Sequence, residues 1–241
     1  MIGISAAVVV AGAIVTPQAF AATNTRGSFL DRLRNARAAA GASGNGAGGN
    51  GAGQNAAGCS DVELVFARGT GEPQGLGIVG QPLARALATE LPGRTVGSFA
   101  VVYAAASNQA SAGPGATNMS QHITQVAQAC PNTQFVIGGY SQGATVTDIA
   151  MGIKGVGTAG QAIPADLTGR VAAVVVYGNP LGLQRKTIAQ ASATFGARAK
   201  EFCNTGDPVC GNGNNFAAHL AYPRNGTVGQ GAQFAAGKVG G

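Results

Sequence analysis

The run Phe135-Val136-Ile137 leads without a polar break into Gly138-Gly139-Tyr140-Ser141-Gln142-Gly143-Ala144, and no other segment constrains the chain so tightly. A β-favouring run precedes the serine, and a helical pattern follows from about Gln142 to Ile153. Gly-x-Ser-x-Gly in that strand-to-helix context predicts a sharp turn that holds the Ser141 hydroxyl out above a sheet. Glycines at 139 and 143 let strand and helix approach closely. The backbone N–H of Gln142, at the helix start, then points to where a tetrahedral oxyanion would form.

The flanking chain alternates in the same way. Asp61 to Ala67 reads as a strand, and Leu83, Leu87 and Leu91 with Ala84 and Ala88 mark an amphipathic helix. A second strand is expected from Val96 to Tyr103, and a helix carries Met119, Ile123, Val126, Ala127 and Cys130. Val171 to Tyr177 is apolar throughout, as in a central parallel strand buried on both faces. Ala197 to Cys203 reads as a weaker strand and Gly231 to Val239 as a final helix. Strands separated by helices require crossovers, which predicts a parallel sheet with helices on both faces and no internal repeat.

A serine hydroxyl needs a base, and in a strand–turn–helix site of this kind the acid and then the histidine follow the serine in the chain. His219 is the only histidine after Ser141. His122 precedes it and sits with Ile123 and Val126, which predicts a packing or helix-surface role. Four acids are available to orient His219. Asp148 lies two turns into the helix after Ser141, Glu201 lies within the weak strand, and Asp166 falls ahead of a buried strand, at its wrong end. Asp207 follows the last strand, between Cys203 and Cys210, and is the expected orienter. Thr70, in the loop Phe66-Ala67-Arg68-Gly69-Thr70-Gly71-Glu72 after the first strand, is the expected second oxyanion donor beside Gln142.

Four cysteines, Cys59, Cys130, Cys203 and Cys210, suit an oxidising compartment. Three pairings are possible in principle. Joining Cys203 to Cys210 pins the short turn that holds Asp207 and leaves Cys59 for Cys130. With no C-x-x-C and only two histidines, neither a metal nor another cofactor is expected.

The 241 residues suffice for one α/β domain with appendages. Met1 to Val15 is almost wholly apolar and is followed by Ala19-Phe20-Ala21, which predicts an export signal over residues 1–21. Pro17-Gln18 breaks that run short of the ~20 residues of a spanning helix, so no stable membrane span is expected. Residues 22–58 read as a flexible tether, since eight of the eighteen residues from Gly41 to Gly58 are glycine. The catalytic domain is then 59–241. The net charge of +6 does not point to nucleic acid. Arg26, Arg32, Arg34 and Arg37 against Asp31 place +3 before Gly41, the remainder is thinly spread, and no basic run carries interleaved aromatics.

Phe66-Ala67-Arg68-Gly69-Thr70, Gly138 to Ala144, Phe202-Cys203-Asn204-Thr205-Gly206-Asp207-Pro208-Val209-Cys210 and His219-Leu220-Ala221-Tyr222 together resemble the cutinases, small serine esterases of fungi and actinobacteria. The resemblance runs from Cys59 to about Val239. It implies an α/β-hydrolase fold with a five-stranded, mainly parallel sheet, a Ser141–Asp207–His219 triad, and Thr70 and Gln142 as oxyanion donors. It implies acyl esters, lipids or polyesters as substrates and a secreted, envelope-associated or extracellular, monomeric enzyme. Ala104-Ala105-Ala106-Ser107-Asn108 and the polar loop Gly211 to Phe216 depart from the fungal type, which implies a thin acyl-binding wall. The alternatives are a lipase or phospholipase, or an acyltransferase, acting on cell-envelope lipids; transfer and hydrolysis share one acyl-serine and differ in what attacks it.

Overall fold

The computed structural model describes residues 58–239; the export-signal and tether readings lie outside the described residues. Five strands, β1 (Val62–Ala67), β2 (Val96–Ala100), β3 (Gln134–Tyr140), β4 (Val171–Tyr177) and β5 (Ala199–Phe202), form one sheet in the order β2-β1-β3-β4-β5, every neighbour parallel. The helices are α1 (Gly77–Glu90), α2 (Ala112–Ala129), α3 (Gln142–Ala150), α4 (Ile188–Ala191), α5 (Phe216–His219) and α6 (Thr227–Val239). Short 3-10 turns at Ala165–Arg170, Pro180–Gln184 and Gly196–Arg198 complete the connections. None of these helices is long and apolar enough to cross a membrane.

The pleat of β1 sorts its side chains into two cores. Val62, Leu64 and Phe66 pack with Leu83 and Leu87 of α1 and with Val228 and Ala235 of α6. Val65 and Ala67 pack on the opposite face with Met119 and Ile123 of α2 and with Val146 of α3. Complete burial of Leu83 and Leu87 contributes roughly 1.5–3 kcal/mol each. The chain passes from β1 outward to β2 and then returns to the other side of β1 at β3. A switch in strand order of this kind opens a crevice at the carboxyl ends of the two strands, where parallel α/β proteins bind ligands. The loop containing Thr70 leaves β1 there, and Ser141 leaves β3.

Several boundaries differ from the sequence-based expectation. β2 stops at Ala100 rather than Tyr103, because β1 ends at Ala67 and offers one last acceptor, Phe66 O, to the Val101 N–H. The helix after Ser141 ends at Ala150 rather than Ile153, since Gly152 takes a positive φ of 78°. The last strand is confined to Ala199–Phe202. The final helix begins at Thr227, four residues before Gly231. Gly231 does not break it: a Cβ there would stand 2.2 Å from the Tyr177 hydroxyl, so its lack of a side chain lets α6 lie against β4.

Asp148, on α3, is fully buried, and its Oδ1 accepts from Asn179 Nδ2 at 3.2 Å, while Asn179 also reaches Glu201 Oε1 at 3.4 Å. Burial holds the Asp148 carboxyl well above the usual aspartate range. The folded state therefore keeps a proton that the unfolded chain releases above about pH 3.9, so Asp148 costs stability as pH rises from there until the buried carboxyl itself ionises. The slope reaches at most about 1.4 kcal/mol per pH unit. Asp148→Asn keeps the acceptor for Asn179 and removes this slope. Thermal melts from pH 4 to 8 are expected to show a flatter profile, with a residual slope from Glu201, whose carboxyl burial also raises. An unchanged profile would mean that Asp148 is ionised in the folded protein.

Candidate active site

Ser141 sits between β3 and α3 with φ 57° and ψ −121°, a conformation that costs a non-glycine residue of order 1–3 kcal/mol. Backbone hydrogen bonds hold it. Its N–H donates to Tyr177 O at 2.9 Å, and its carbonyl accepts from the Ala144 N–H at 2.9 Å. The glycines on either side are required by space. A Cβ on Gly139 would lie 2.0 Å from Gly143 O, and one on Gly143 would lie 1.9 Å from Ala67 O. Strand and helix can therefore converge only if both positions lack side chains.

His219 closes the one-turn helix α5 and is 2 % exposed. Its Nδ1 lies 2.9 Å from Asp207 Oδ2, and Asp207 is completely buried. Two further donors fix the carboxylate: the Tyr222 hydroxyl donates to Oδ2 at 2.6 Å and the Val209 N–H to Oδ1 at 2.8 Å. Asp207 is thus placed to orient an imidazole by accepting from Nδ1, leaving Nε2 for the reaction. Tyr140 stacks on the His219 ring at 4.9 Å and donates from its hydroxyl to His219 O at 2.8 Å.

The sheet brings histidine and serine together. Tyr140 and Tyr177 are register partners, so Ser141 and Gly178 leave adjacent strand ends. A Cβ on Gly178 would lie 2.6 Å from His219 Cε1; glycine there gives the ring its seat beside the serine turn. No hydrogen bond joins Ser141 Oγ to His219 Nε2, and proton transfer between them requires the two atoms to close to about 2.6–3.2 Å.

Thr70 lies on the exposed loop after β1. The amides beside it are engaged: the Gly69 N–H donates to Glu72 Oε2 at 2.5 Å and the Gly71 N–H to Ala105 O at 2.9 Å. The Thr70 N–H has no partner among the described residues. Across the crevice, Gln142 supplies the first N–H of α3, a position without an intrahelical acceptor. The Gln142 side chain is buried and donates to Ala106 O at 2.9 Å, tying the helix start to the loop after β2.

His122 lies elsewhere, stacked flat on Phe99 at 3.5 Å with Nε2 3.1 Å from Glu63 Oε1. Of the other acids considered, Asp148 and Glu201 belong to the buried cluster around Asn179, and Asp166 lies in the first turn of the Ala165–Arg170 3-10 turn ahead of β4. Sequence reasoning missed two supporting groups. One is Tyr222, three residues after His219, whose hydroxyl also receives the Asn204 N–H at 3.1 Å. The other is Arg68, 4 % exposed, which bridges the Thr70 loop to the chain after β2 by donating to Glu72 O at 2.7 Å and Tyr103 O at 2.7 Å. A lone arginine beside a Gly-rich loop was the only sequence signal.

Disulfides join Cys59 to Cys130 and Cys203 to Cys210, the second bracketing Asp207. Replacing both Cys203 and Cys210 by serine is expected to cost no more than about 2–3 kcal/mol, because the closed loop is short. Turnover should fall by on the order of 10²-fold, the effect of a displacement near 1 Å at a reacting group. Melting and acyl-ester assays on the double variant compare the two; full turnover with lost stability would make this bond purely structural.

A family model for cutinases matches residues 58–239. The chain belongs to the cutinase family. It is 61% identical over 183 residues to a cutinase of Kineococcus radiotolerans, covering 75% of this chain and 62% of that protein. It is 41% identical over 183 residues to phospholipase Culp4 of Mycobacterium tuberculosis, covering 75% and 80%. The solved structure of Trichoderma reesei cutinase in complex with a phosphonate inhibitor superposes with a TM-score of 0.60 at 30% identity, covering 75% of this chain and 77% of that one. Ser141, Asp207 and His219 all fall within the matched cutinase region.

Proposed function

We propose that the chain is a secreted serine carboxylic ester hydrolase in which Ser141 attacks the acyl carbonyl, His219 takes the serine proton and later returns it to the leaving alcohol, and Asp207 orients His219. Thr70 and Gln142 donate their backbone N–H groups to the oxyanion, and water then releases the acyl-serine. The observation that carries this reading is Ser141 on a left-handed turn beside a buried His219–Asp207 pair. Residues 1–21 serve as export signal, 22–58 as tether and 59–241 as catalytic domain in this reading; two disulfides suit an oxidising destination.

The substrate is apolar on its acyl side. Ile78, Val102, Leu183, Phe216 and Leu220 are the large apolar side chains left exposed among the described residues. Val102 and Leu183 lie in connections that leave the carboxyl ends of β2 and β4, Ile78 lies in the first turn of α1, and Phe216 and Leu220 flank His219. Acyl esters, lipids or polyesters would cover that rim, and a phospholipid is the second reading, favoured by the relative named a phospholipase. The test is a panel of acyl esters of increasing length, a polyester film and phospholipid vesicles given to the purified protein. Absence of hydrolysis across the panel would remove the reading.

A further inference from the structure

A cleft of about 450 Å³ lies between the turn after α3 and the segment joining the Pro180–Gln184 turn to α4, and Lys154, Arg185 and Lys186 line it. Nothing in the proposed acyl transfer uses it. The described residues contain eleven lysines and arginines, and most side chains are already committed. Arg68, Arg170 and Arg198 bond to backbone carbonyls, Arg94 bonds to Gln134, and Lys200 and Lys238 lie over phenylalanine rings. Five are left with no side-chain partner among the described residues: Arg85, Lys154, Arg185, Lys186 and Arg224. Three of those five meet at this one cleft. Uncompensated like charges brought together repel each other, so the arrangement lowers its energy by taking up an anion.

The cleft shares one residue with a second cleft. Lys186 also lines the neighbouring cleft with Cys203 and Cys210, the disulfide that brackets Asp207. A Cβ on Gly182 would lie 2.2 Å from Cys210 O, which shows how closely the turn before Arg185 packs on that disulfide. Glu201, the acid of the neighbouring cleft, is occupied by the Ile188 N–H and Asn179. Leu183, just ahead of Arg185 in the chain, is among the exposed apolar residues. An apolar side chain two residues ahead of two free cations matches a ligand with acyl chains and a phosphate.

We propose that Lys154, Arg185 and Lys186 bind the phosphate of an anionic phospholipid headgroup and hold the enzyme on its substrate surface; this deepens the ester-hydrolase reading and rests on it. Basic residues at an anionic surface contribute about fivefold in affinity each, so three contribute on the order of 10²-fold.

The test uses the full chain carrying Ser141→Ala, so that vesicles are bound but not consumed. This protein should sediment with phosphatidylglycerol vesicles far more than with phosphatidylcholine vesicles, and adding Lys154→Gln, Arg185→Gln and Lys186→Gln should reduce the difference by about 10²-fold. The basic stretch before Gly41 is common to both proteins and does not enter the comparison. An undiminished preference in the triple variant overturns the proposal. Inorganic phosphate followed by amide shifts at Lys154 and Lys186 separates the sources: shifts without any loss of vesicle preference would assign the cleft to free phosphate and overturn the lipid assignment. With Ser141 intact, the triple variant should hydrolyse a short soluble acyl ester at the parent rate. If the parent itself fails on that ester, the hydrolase reading fails, while the vesicle result still judges the cleft.

Discussion

Replacing Ser141 by alanine is expected to lower ester hydrolysis by on the order of 10⁶-fold, the loss seen when a hydrolase loses its serine nucleophile. Alanine removes a single oxygen, and that oxygen has no hydrogen-bond partner among the described residues. The backbone bonds that hold the turn, Ser141 N–H to Tyr177 O and Ala144 N–H to Ser141 O, do not depend on the side chain. Alanine meets about the same strain as serine at φ 57°, so the melting temperature should stay within a few degrees of the parent. Residual turnover would come from the oxyanion donors and substrate binding. The measurement is release of a chromogenic alcohol from a short acyl ester, alongside a melting curve. Parent-like turnover in folded Ser141→Ala would place the nucleophile elsewhere and end the serine-hydrolase reading.

That site was legible because its parts are local in sequence or fixed in order. The serine turn occupies seven consecutive residues, and the glycines that make it possible are visible as glycines. Asp207 was marked by the cysteines around it and His219 by being the only histidine after the serine. The groups that hold the machinery still were illegible for the opposite reason. Arg68 meets Tyr103 thirty-five residues away, and Asp148 meets Asn179 thirty-one residues away. Nothing in the spacing of those residues foretells the contact, because the sheet order makes it. Element ends were misjudged for the same cause. β2 stops where its partner runs out, and α6 starts four residues before Gly231, whose missing side chain lets the helix lie against Tyr177.

The two histidines provide the sharpest test of the order argument. His219→Ala should lower turnover about as far as loss of the serine, on the order of 10⁶-fold, because serine and base act as a unit. Its ring is packed among Asp207, Tyr140 and Gly178, so some stability is lost as well. A buried carboxylate is left with one partner fewer, a cost of about 1–3 kcal/mol. Folded fraction must therefore be measured before turnover is compared. His122→Ala loses a flat stack on Phe99 and a contact with Glu63, neither of which is a residue of the proposed site. A partly exposed pair of this kind contributes about 0.5–1.5 kcal/mol, so a lower melting temperature with parent-like turnover is the expected result. The contrast is what counts, since each variant controls for loss of an imidazole in the other. If His122→Ala lost activity and His219→Ala kept it, the base would lie on α2, and the chain-order argument that selected both His219 and Asp207 would fail together with it.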